Sequence, residues 1–465
     1  MNHSPLIRGA FWLTAISFLT RVMGFFFRIF LSRTFGEESV GLYQLIFPVY
    51  SLCLAFSVAG IQTALSRIVA YKTEQQDISG AKHSLYTALI FSLFLSLISL
   101  LVVQHHAAFI SDVLIQEARC RNLLIIMTYA FPFACIHSCI SGYYFGLKKT
   151  AVPAISQLLE QIFRIGSVYL LTTLAQHKNL PIHIAFAVIG IVIGEIASSL
   201  CTIISLYTSQ KIHIFRKHRC VLLSNFFRNL KELTSLSVPL SGNRMFLTLL
   251  QSIEAVSIPM QLQIYHYSVK ESLSIYGVLT GMALPCILFP SAITNSFSLL
   301  LTPTVAEMDS ASDYEHLSDI IKKTIFLCFS LGLIACFFFL IFGNLIGNLL
   351  FHSQLAGQFL LTLAWICPFL YLNTALASII NGLGKTRVTF TVHFAGITIR
   401  ILSIFYLIPR FDLKGYLWGL LISQLIVSTS FCLFLINETN NNFYYPRIHK
   451  EFQSDTNDKK YTRKQ

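Results

Sequence analysis

Long apolar runs constrain the fold of this chain more than any other feature. They include residues 83–103, 182–208, 325–351 and 415–436. A helix of about 20 apolar residues spans the hydrocarbon core of a bilayer. The runs show no strand-like alternation, and only helices and closed barrels satisfy every backbone group in lipid. The sequence therefore predicts an all-α, polytopic membrane protein.

The amino-acid composition is typical of a protein that lies in a membrane. Of 465 residues, 54% are hydrophobic and 12% are charged, whereas soluble domains are about 45–50% apolar and about 25% charged. The first apolar run continues from Arg8 to about Arg33 without a small-residue cleavage pattern. It is therefore predicted to be the first span and not a cleaved signal peptide.

We predict about twelve membrane spans, each long enough to cross the bilayer. They are residues 9–33, 41–70, 83–103, 122–146, 151–175, 182–208, 232–259, 273–302, 323–351, 356–382, 386–408 and 415–437. With the N-terminus in the cytoplasm, about 22 Lys/Arg residues lie inside, about 7 outside and about 5 within spans. This asymmetry predicts that both termini are cytoplasmic.

The net charge of +13 raises the question of a nucleic-acid partner. Basic residues cluster in segments 209–231 and 438–465, next to predicted spans, where anionic headgroups attract them by about 1 kcal/mol per residue. We therefore expect membrane lipid and no nucleic acid as partner.

The predicted domains are an N-terminal lobe (1–208), a basic cytoplasmic linker (209–231), a C-terminal lobe (232–437) and a polar cytoplasmic tail (438–465).

An internal repeat relates the two halves. A shift of 236 residues places Gly41 on Gly277, Gly146 on Gly382 and Arg164 on Arg400. The motif G-L-x-K-T-x-V begins at both Gly146 and Gly382. The repeat predicts two pseudo-symmetric lobes of about six helices each, in one orientation, with substrate between them.

Arginines inside predicted spans are candidates for a binding site, because a mid-span charge costs roughly 2.5–3.5 kcal/mol. Arg21 and Arg28 lie seven residues apart in the first span, so both project from one helix face. Guanidinium groups bind phosphate in a bidentate manner, which suits a pyrophosphate headgroup. Arg244, in the first span of the second half, is a third candidate. The alternative for Arg28 and Arg244 is snorkelling to the interface.

Acidic residues within spans are candidates for ion coupling. Glu254 can act as a counter-ion to Arg21 or as a proton or cation site. Glu195 has no neighbour in sequence that would neutralise it and is expected to reach Arg164 from another helix. Glu160 is a further candidate for a proton or cation.

Two other arginines are predicted to be structural. Glu160 and Arg164 are spaced i, i+4 in the favourable order for an ion pair within one helix. Arg400 occupies the position equivalent to Arg164, but Gly396 replaces the glutamate.

The sequence lacks the G-x-x-x-x-G-K-[ST] loop of nucleotide-driven proteins and the common hydrolase and kinase patterns. We therefore expect no enzyme activity, no metal and no cofactor. Transport would depend on a proton or sodium gradient, the membrane potential or the concentration difference of the substrate itself.

Three motifs carry a resemblance to a known family over nearly the whole chain. They are R-x-x-G-F-F-F-R-I-F-L-S-R from Arg21, G-L-Y-Q-L-I-F-P-V-Y from Gly41 and N-G-L-G-K-T from Asn381. These resemble the polysaccharide-exporter branch of the multidrug, oligosaccharidyl-lipid and polysaccharide flippase superfamily, the branch of stage V sporulation protein B and of lipid II flippases.

The resemblance implies a fold like that of multidrug exporters, in which two lobes alternate access. It implies a flippase for undecaprenyl-pyrophosphate-linked oligosaccharides in the bacterial plasma membrane, with cell-wall synthesis proteins as partners and a role in spore cortex or cell-wall synthesis. Arg21 and Arg28 occupy places comparable to cleft arginines of lipid II flippases, and Arg244 would join them. Longer members carry two more C-terminal helices than the twelve spans predicted here, so the resemblance implies no role for those helices in this chain.

Two alternatives remain. A cation-coupled multidrug exporter of the same fold would use Glu254, Glu195 and Glu160. A non-transporting scaffold for cell-wall assembly would tolerate loss of the buried arginines. The positive charge of Arg21 and Arg28 favours an anionic headgroup over a cationic drug.

Overall fold

The computed structural model describes residues 5–210, 222–310 and 314–461. Residues 211–221 of the predicted linker and 462–465 of the predicted tail lie outside the described residues. Every regular element in the described part is helical, which confirms the all-α class.

The α-helices fall into two consecutive groups along the chain. The first group is α1 (Pro5–Leu45), α2 (Phe47–Leu54), α3 (Gly60–Glu74), α4 (Ile78–His105), α5 (Ala107–Phe109), α6 (Cys120–Thr128), α7 (Ala130–Gly146), α8 (Ala151–His177) and α9 (Ala185–Gln210). The second group is α10 (Leu222–Ile264), α11 (Val269–Gly277), α12 (Leu284–Leu288), α13 (Ser291–Ser310), α14 (Tyr314–Phe351), α15 (Gln354–Leu363), α16 (Cys367–Gly382), α17 (Thr386–Phe411) and α18 (Leu413–Tyr461). Short π-helical segments lie at Ala55–Ala59, Ile110–Ile115 and Val278–Ala283, and a 3-10 turn lies at Ala364–Ile366.

Nine helices of the described ranges are long and apolar enough to cross a membrane, or ten if the bent pair α6 and α7 counts as one span. One of the nine, Thr14–Glu74, contains residues 14–33 of the first predicted span and the whole second predicted span. Gly36 divides them, because its φ of +78° breaks α1 and is readily adopted only by glycine. The fifth predicted span lies in α8, which has 27 residues but is not among the nine. These two places account for the difference from the predicted number.

The chain forms two units. The first unit is Met1–Pro285 with Asn348–Ala356, and the second unit is Cys286–Gly347 with Gly357–Gln465. Ser32 and Arg33 on α1 bind the C-terminal end of α14, where residues 348–351 belong to the first unit. Arg33 Nε donates to the carbonyl oxygen of Leu350 at 2.8 Å, and Ser32 Oγ donates to that of Phe351 at 3.4 Å. Both bonds satisfy carbonyl groups that the end of α14 leaves free.

Each unit contains a hydrophobic core, and the two cores use equivalent positions of the repeat. Buried residues of the first core have buried counterparts in the second at the shift of 236. Such pairs are Leu65 and Leu301, Val69 and Val305, Leu85 and Ile321, Ile140 and Leu376, and Tyr144 and Ile380. The internal repeat inferred from a few motifs therefore extends to the packing of both cores.

Gly146 and Gly382 mark equivalent close helix crossings in the two cores. A Cβ atom on Gly146 would lie 2.7 Å from the carbonyl oxygen of Ser66, and one on Gly382 would lie 2.7 Å from that of Thr302. Ser66 and Thr302 are also repeat equivalents. Small residues let backbones approach in this way, and close packing drives helix association in lipid.

Gly41 and Gly277, another repeat pair, meet each other within the first unit. A Cβ on Gly41 would overlap the carbonyl oxygen of Leu273, and one on Gly277 would overlap that of Glu37. Leu273 and Glu37 are themselves repeat equivalents, so the contact between α1 and α11 is locally symmetric.

Replacing Gly146 or Gly382 with alanine is expected to lower the apparent melting temperature in detergent. The added Cβ must displace backbone, at a cost of about 1–3 kcal/mol. Gly166, within α8, is the matched control because no atom lies within 4 Å of its Cβ position. Gly166→Ala should leave the melting temperature unchanged or raise it, since alanine favours helix by roughly 0.5–1 kcal/mol. Equal shifts for all three variants would contradict the packing described.

Candidate functional site

Arg28 lines a cavity of about 290 Å³ inside the first unit, which we call the arginine cavity. Its Nη1 donates to the carbonyl oxygen of Thr280 at 3.3 Å. Thr280 belongs to the π-helical segment Val278–Ala283, and such segments are frequent at functional sites. Arg28 has no ion pair among the described residues, so its contact with a neutral carbonyl leaves its charge uncompensated.

The walls of the arginine cavity carry hydrogen-bonding groups but no carboxylate. The polar wall residues are Thr20, Arg28, Tyr43, Gln44, Gln161 and Arg164. The remaining wall residues are Gly24, Phe27, Leu31, Val40, Phe47 and Gly281. Two guanidinium groups without an acidic wall residue suit an anion, particularly a phosphate that accepts paired hydrogen bonds.

Arg164, from α8, is the second cationic residue of this cavity. It forms the ion pair with Glu160 that the i, i+4 spacing predicts. Its Nε is buried and has no hydrogen-bond partner. The hydroxyl of Tyr43 interacts electrostatically with both Arg28 and Arg164. The structure therefore places Arg164 in a cavity wall, a position that the spacing alone does not indicate.

A second cavity, of about 210 Å³, has both His137 and Glu160 in its walls. We call it the histidine cavity. Its other polar wall residues are Gln62, Ser138, Ser141 and Gln157. Because Glu160 lines this cavity and Arg164 lines the arginine cavity, their ion pair connects the two.

His137, Glu160 and Glu195 form a group of ionisable side chains whose candidate ligand atoms all lie within 4.8 Å of one another. Glu195 Oε1 accepts a hydrogen bond from the Tyr50 hydroxyl at 2.9 Å. Its Oε2 lies 3.8 Å from His137 Nδ1 and is buried without a hydrogen bond. One imidazole and two carboxylates can hold a proton or a metal cation. The hydrogen bond of Glu195 thus goes to Tyr50 and not to Arg164, the partner expected from the sequence.

The other predicted residues lie elsewhere. Arg21 and Arg244 are exposed and do not line the arginine cavity. Glu254 is buried, with 8% of its surface exposed, and interacts electrostatically with Tyr276. Arg400 belongs to the second unit and is partly buried. Of the three predicted phosphate-binding arginines, the structure therefore places Arg28 in the wall of a cavity.

Several residues of the two cavities are not indicated by the sequence. His137, Tyr43 and Tyr50 come from different helices, and neutral polar residues within spans carry no periodic signal. Helical spacing could have indicated Gln161, because it lies three residues before Arg164 and so shares its helix face.

Sequence comparisons place the chain in a family of polysaccharide biosynthesis proteins. A family profile described as polysaccharide biosynthesis protein matches residues 6–309. Stage V sporulation protein B of Bacillus subtilis is 27% identical over 410 residues, which are 88% of this chain and 79% of that protein. The lipid II flippase of Bacillus subtilis is 21% identical over 438 residues, covering 86% of this chain and 76% of that protein.

Solved structures show the same fold. An inward-facing multidrug transporter of the superfamily aligns with a TM-score of 0.69 and 15% identity over 93% of this chain and 98% of that chain. A superfamily transporter from Pyrococcus furiosus aligns with a TM-score of 0.64 and 14% identity over 94% of this chain and 96% of that chain. The chain therefore belongs to the polysaccharide biosynthesis protein family of the multidrug, oligosaccharidyl-lipid and polysaccharide flippase superfamily, and it is a multi-pass membrane transporter.

Proposed function

We propose that this transporter flips an undecaprenyl-pyrophosphate-linked oligosaccharide, a peptidoglycan or polysaccharide precursor, from the cytoplasmic to the outer leaflet of the bacterial plasma membrane. The observation that carries the proposal is the arginine cavity, which offers Arg28 and other donors without a carboxylate. The similarity to a lipid II flippase supports a glycan lipid over other anions.

The proposed cycle is alternating access by the two predicted lobes, 1–208 and 232–437, with both termini in the cytoplasm. Arg28 binds the pyrophosphate through charge-assisted hydrogen bonds, and Arg21 and Arg244 contribute further positive charge along its path. The polyprenyl tail stays in lipid, because each buried CH₂ group contributes about 0.8 kcal/mol to membrane binding. The similarity to stage V sporulation protein B supports a place in spore-wall synthesis, with cell-wall synthesis proteins as partners.

Energy for the cycle is proposed to come from a proton or sodium gradient. Glu195 and Glu160, together with His137, form the candidate coupling site. Glu254 is proposed as a second ionisable group of the cycle, as counter-ion or cation site. The same acidic group favours one alternative function, the cation-coupled export of drugs, because the fold is shared with multidrug transporters.

Substituting Arg28 is expected to reduce flipping of lipid II by proteoliposomes that contain the purified protein. Arg28→Ala should lower the rate about tenfold or more, since a hydrogen bond to a charged group contributes about 1.5–3 kcal/mol. Arg21→Ala should have a smaller effect, because Arg21 does not line the arginine cavity.

Arg387→Ala is the control for loss of one positive charge, because Arg387 is exposed near the start of α17. It should flip at the wild-type rate. Unchanged flipping by folded Arg28→Ala would remove this arginine from the mechanism. If the wild type exports a lipophilic cation but does not move lipid II, the drug-export alternative replaces the proposal. Movement of neither substrate would favour a scaffold.

A second test concerns coupling. An imposed proton or sodium gradient should accelerate flipping by the wild type, and Glu195→Gln should abolish the acceleration while the protein stays folded. The amide keeps an acceptor for the Tyr50 hydroxyl but cannot bind a proton or hold a negative charge. Glu307→Gln, at an exposed position, is the control. Equal acceleration in Glu195→Gln and wild type would contradict coupling at this group.

A further inference from the structure

The ion pair with Glu160 uses only part of the hydrogen-bonding capacity of Arg164. A guanidinium has five N–H donors. One nitrogen of Arg164, Nη2, binds Glu160, whereas the buried Nε has no partner. The same side chain lines the arginine cavity together with Arg28. A purely structural ion pair does not require a cationic side chain in a cavity wall, nor a buried donor left unpaired.

We infer that Arg28 and Arg164 together form a subsite for a phosphate group, and that Glu160 competes with this phosphate for Arg164. The inference deepens the proposed function and rests on it for the identity of the ligand, a polyprenyl-linked pyrophosphate. It assigns Arg164 a role in binding in addition to its predicted structural role.

The chemistry of the cavity supports a phosphate. Both guanidinium groups interact electrostatically with the Tyr43 hydroxyl. Among the described residues, Glu160 is the one carboxylate paired with either group, and it does not belong to the walls of this cavity. Gln44 and Gln161 add neutral amide donors at the same walls. The volume of about 290 Å³ is near the lower end of ligand pockets, about 300–1,000 Å³. It suits a headgroup phosphate and excludes the whole glycan.

Groups around the histidine cavity can change how strongly Glu160 competes with the phosphate for Arg164. Charged and titratable groups of the neighbouring elements interact electrostatically with Glu160 or with Arg164. They are Arg164 on α8 itself, Glu195 on α9, His137 on α7, and Tyr43 and Tyr50 from the first part of the chain. A proton or cation at Glu160 weakens its hold on Arg164, which then becomes available to the phosphate. Reciprocally, phosphate binding releases Glu160 for a proton or cation.

Binding to the purified full-length protein tests the inference, with inorganic pyrophosphate and lipid II as probes in calorimetric titrations. Glu160→Gln should tighten binding by at least about fivefold. The double variant Glu160→Gln/Arg164→Gln should bind about tenfold or more weakly than Glu160→Gln alone. The double variant is informative because Arg164→Gln alone leaves Glu160 buried without its partner, which can unfold the protein. Arg400→Gln, the repeat equivalent, should bind like the wild type.

The outcomes separate this inference from the proposed function. Equal affinities of wild type, Glu160→Gln and the double variant would overturn the inference, even if the wild type flips lipid II. Failure of the wild type to bind either probe would also overturn it. The expected affinity order without lipid II flipping would support the subsite and contradict the proposed function. Binding of lipid II alone would assign the phosphate to a lipid headgroup, and binding of both probes would show recognition of the phosphate itself.

Discussion

The close approach of helix backbones is the constraint on which the rest of this structure depends. In lipid, apolar side chains gain little by leaving one apolar environment for another, so helices associate through tight packing and polar contacts. Gly146 and Gly382 permit equivalent crossings in the two cores, each against a carbonyl oxygen 2.7 Å from the missing Cβ. Gly41 and Gly277 permit the crossing of α1 and α11. That crossing holds α1 against the π-helical segment whose Thr280 accepts from Arg28.

The helices of the first unit then determine where charge can remain in an apolar protein. Glu160 and Arg164 neutralise each other, and Arg164 also lies in the cavity that contains Arg28. On the other side, Glu160 approaches His137 and Glu195. Arg28 and Arg164 therefore line one cavity, whereas Glu160 and His137 line the other, and the ion pair between Arg164 and Glu160 joins them. This separation is what a transporter needs if the binding of an anion is to depend on the binding of a proton or cation.

The sequence predicts the class of fold well, because hydrophobic length and the G-L-x-K-T-x-V repeat are local signals that survive in a single chain. It also predicts the Glu160–Arg164 ion pair, which depends only on spacing within one helix. It could not place Arg164 beside Arg28 or His137 beside Glu195, because these pairs join distant helices. For the same reason it did not indicate Tyr50, which comes from another helix and donates a hydrogen bond to the Glu195 carboxylate at 2.9 Å.

Selective retention of a pyrophosphate lipid tests the central claim most directly. Native mass spectrometry of the purified protein would compare lipid II with undecaprenol, which has the same tail and no phosphate. Recognition of an anionic headgroup predicts that lipid II remains bound at concentrations where undecaprenol is lost, and that Arg28→Ala removes this difference. Equal retention of the two lipids by the wild type would contradict the account.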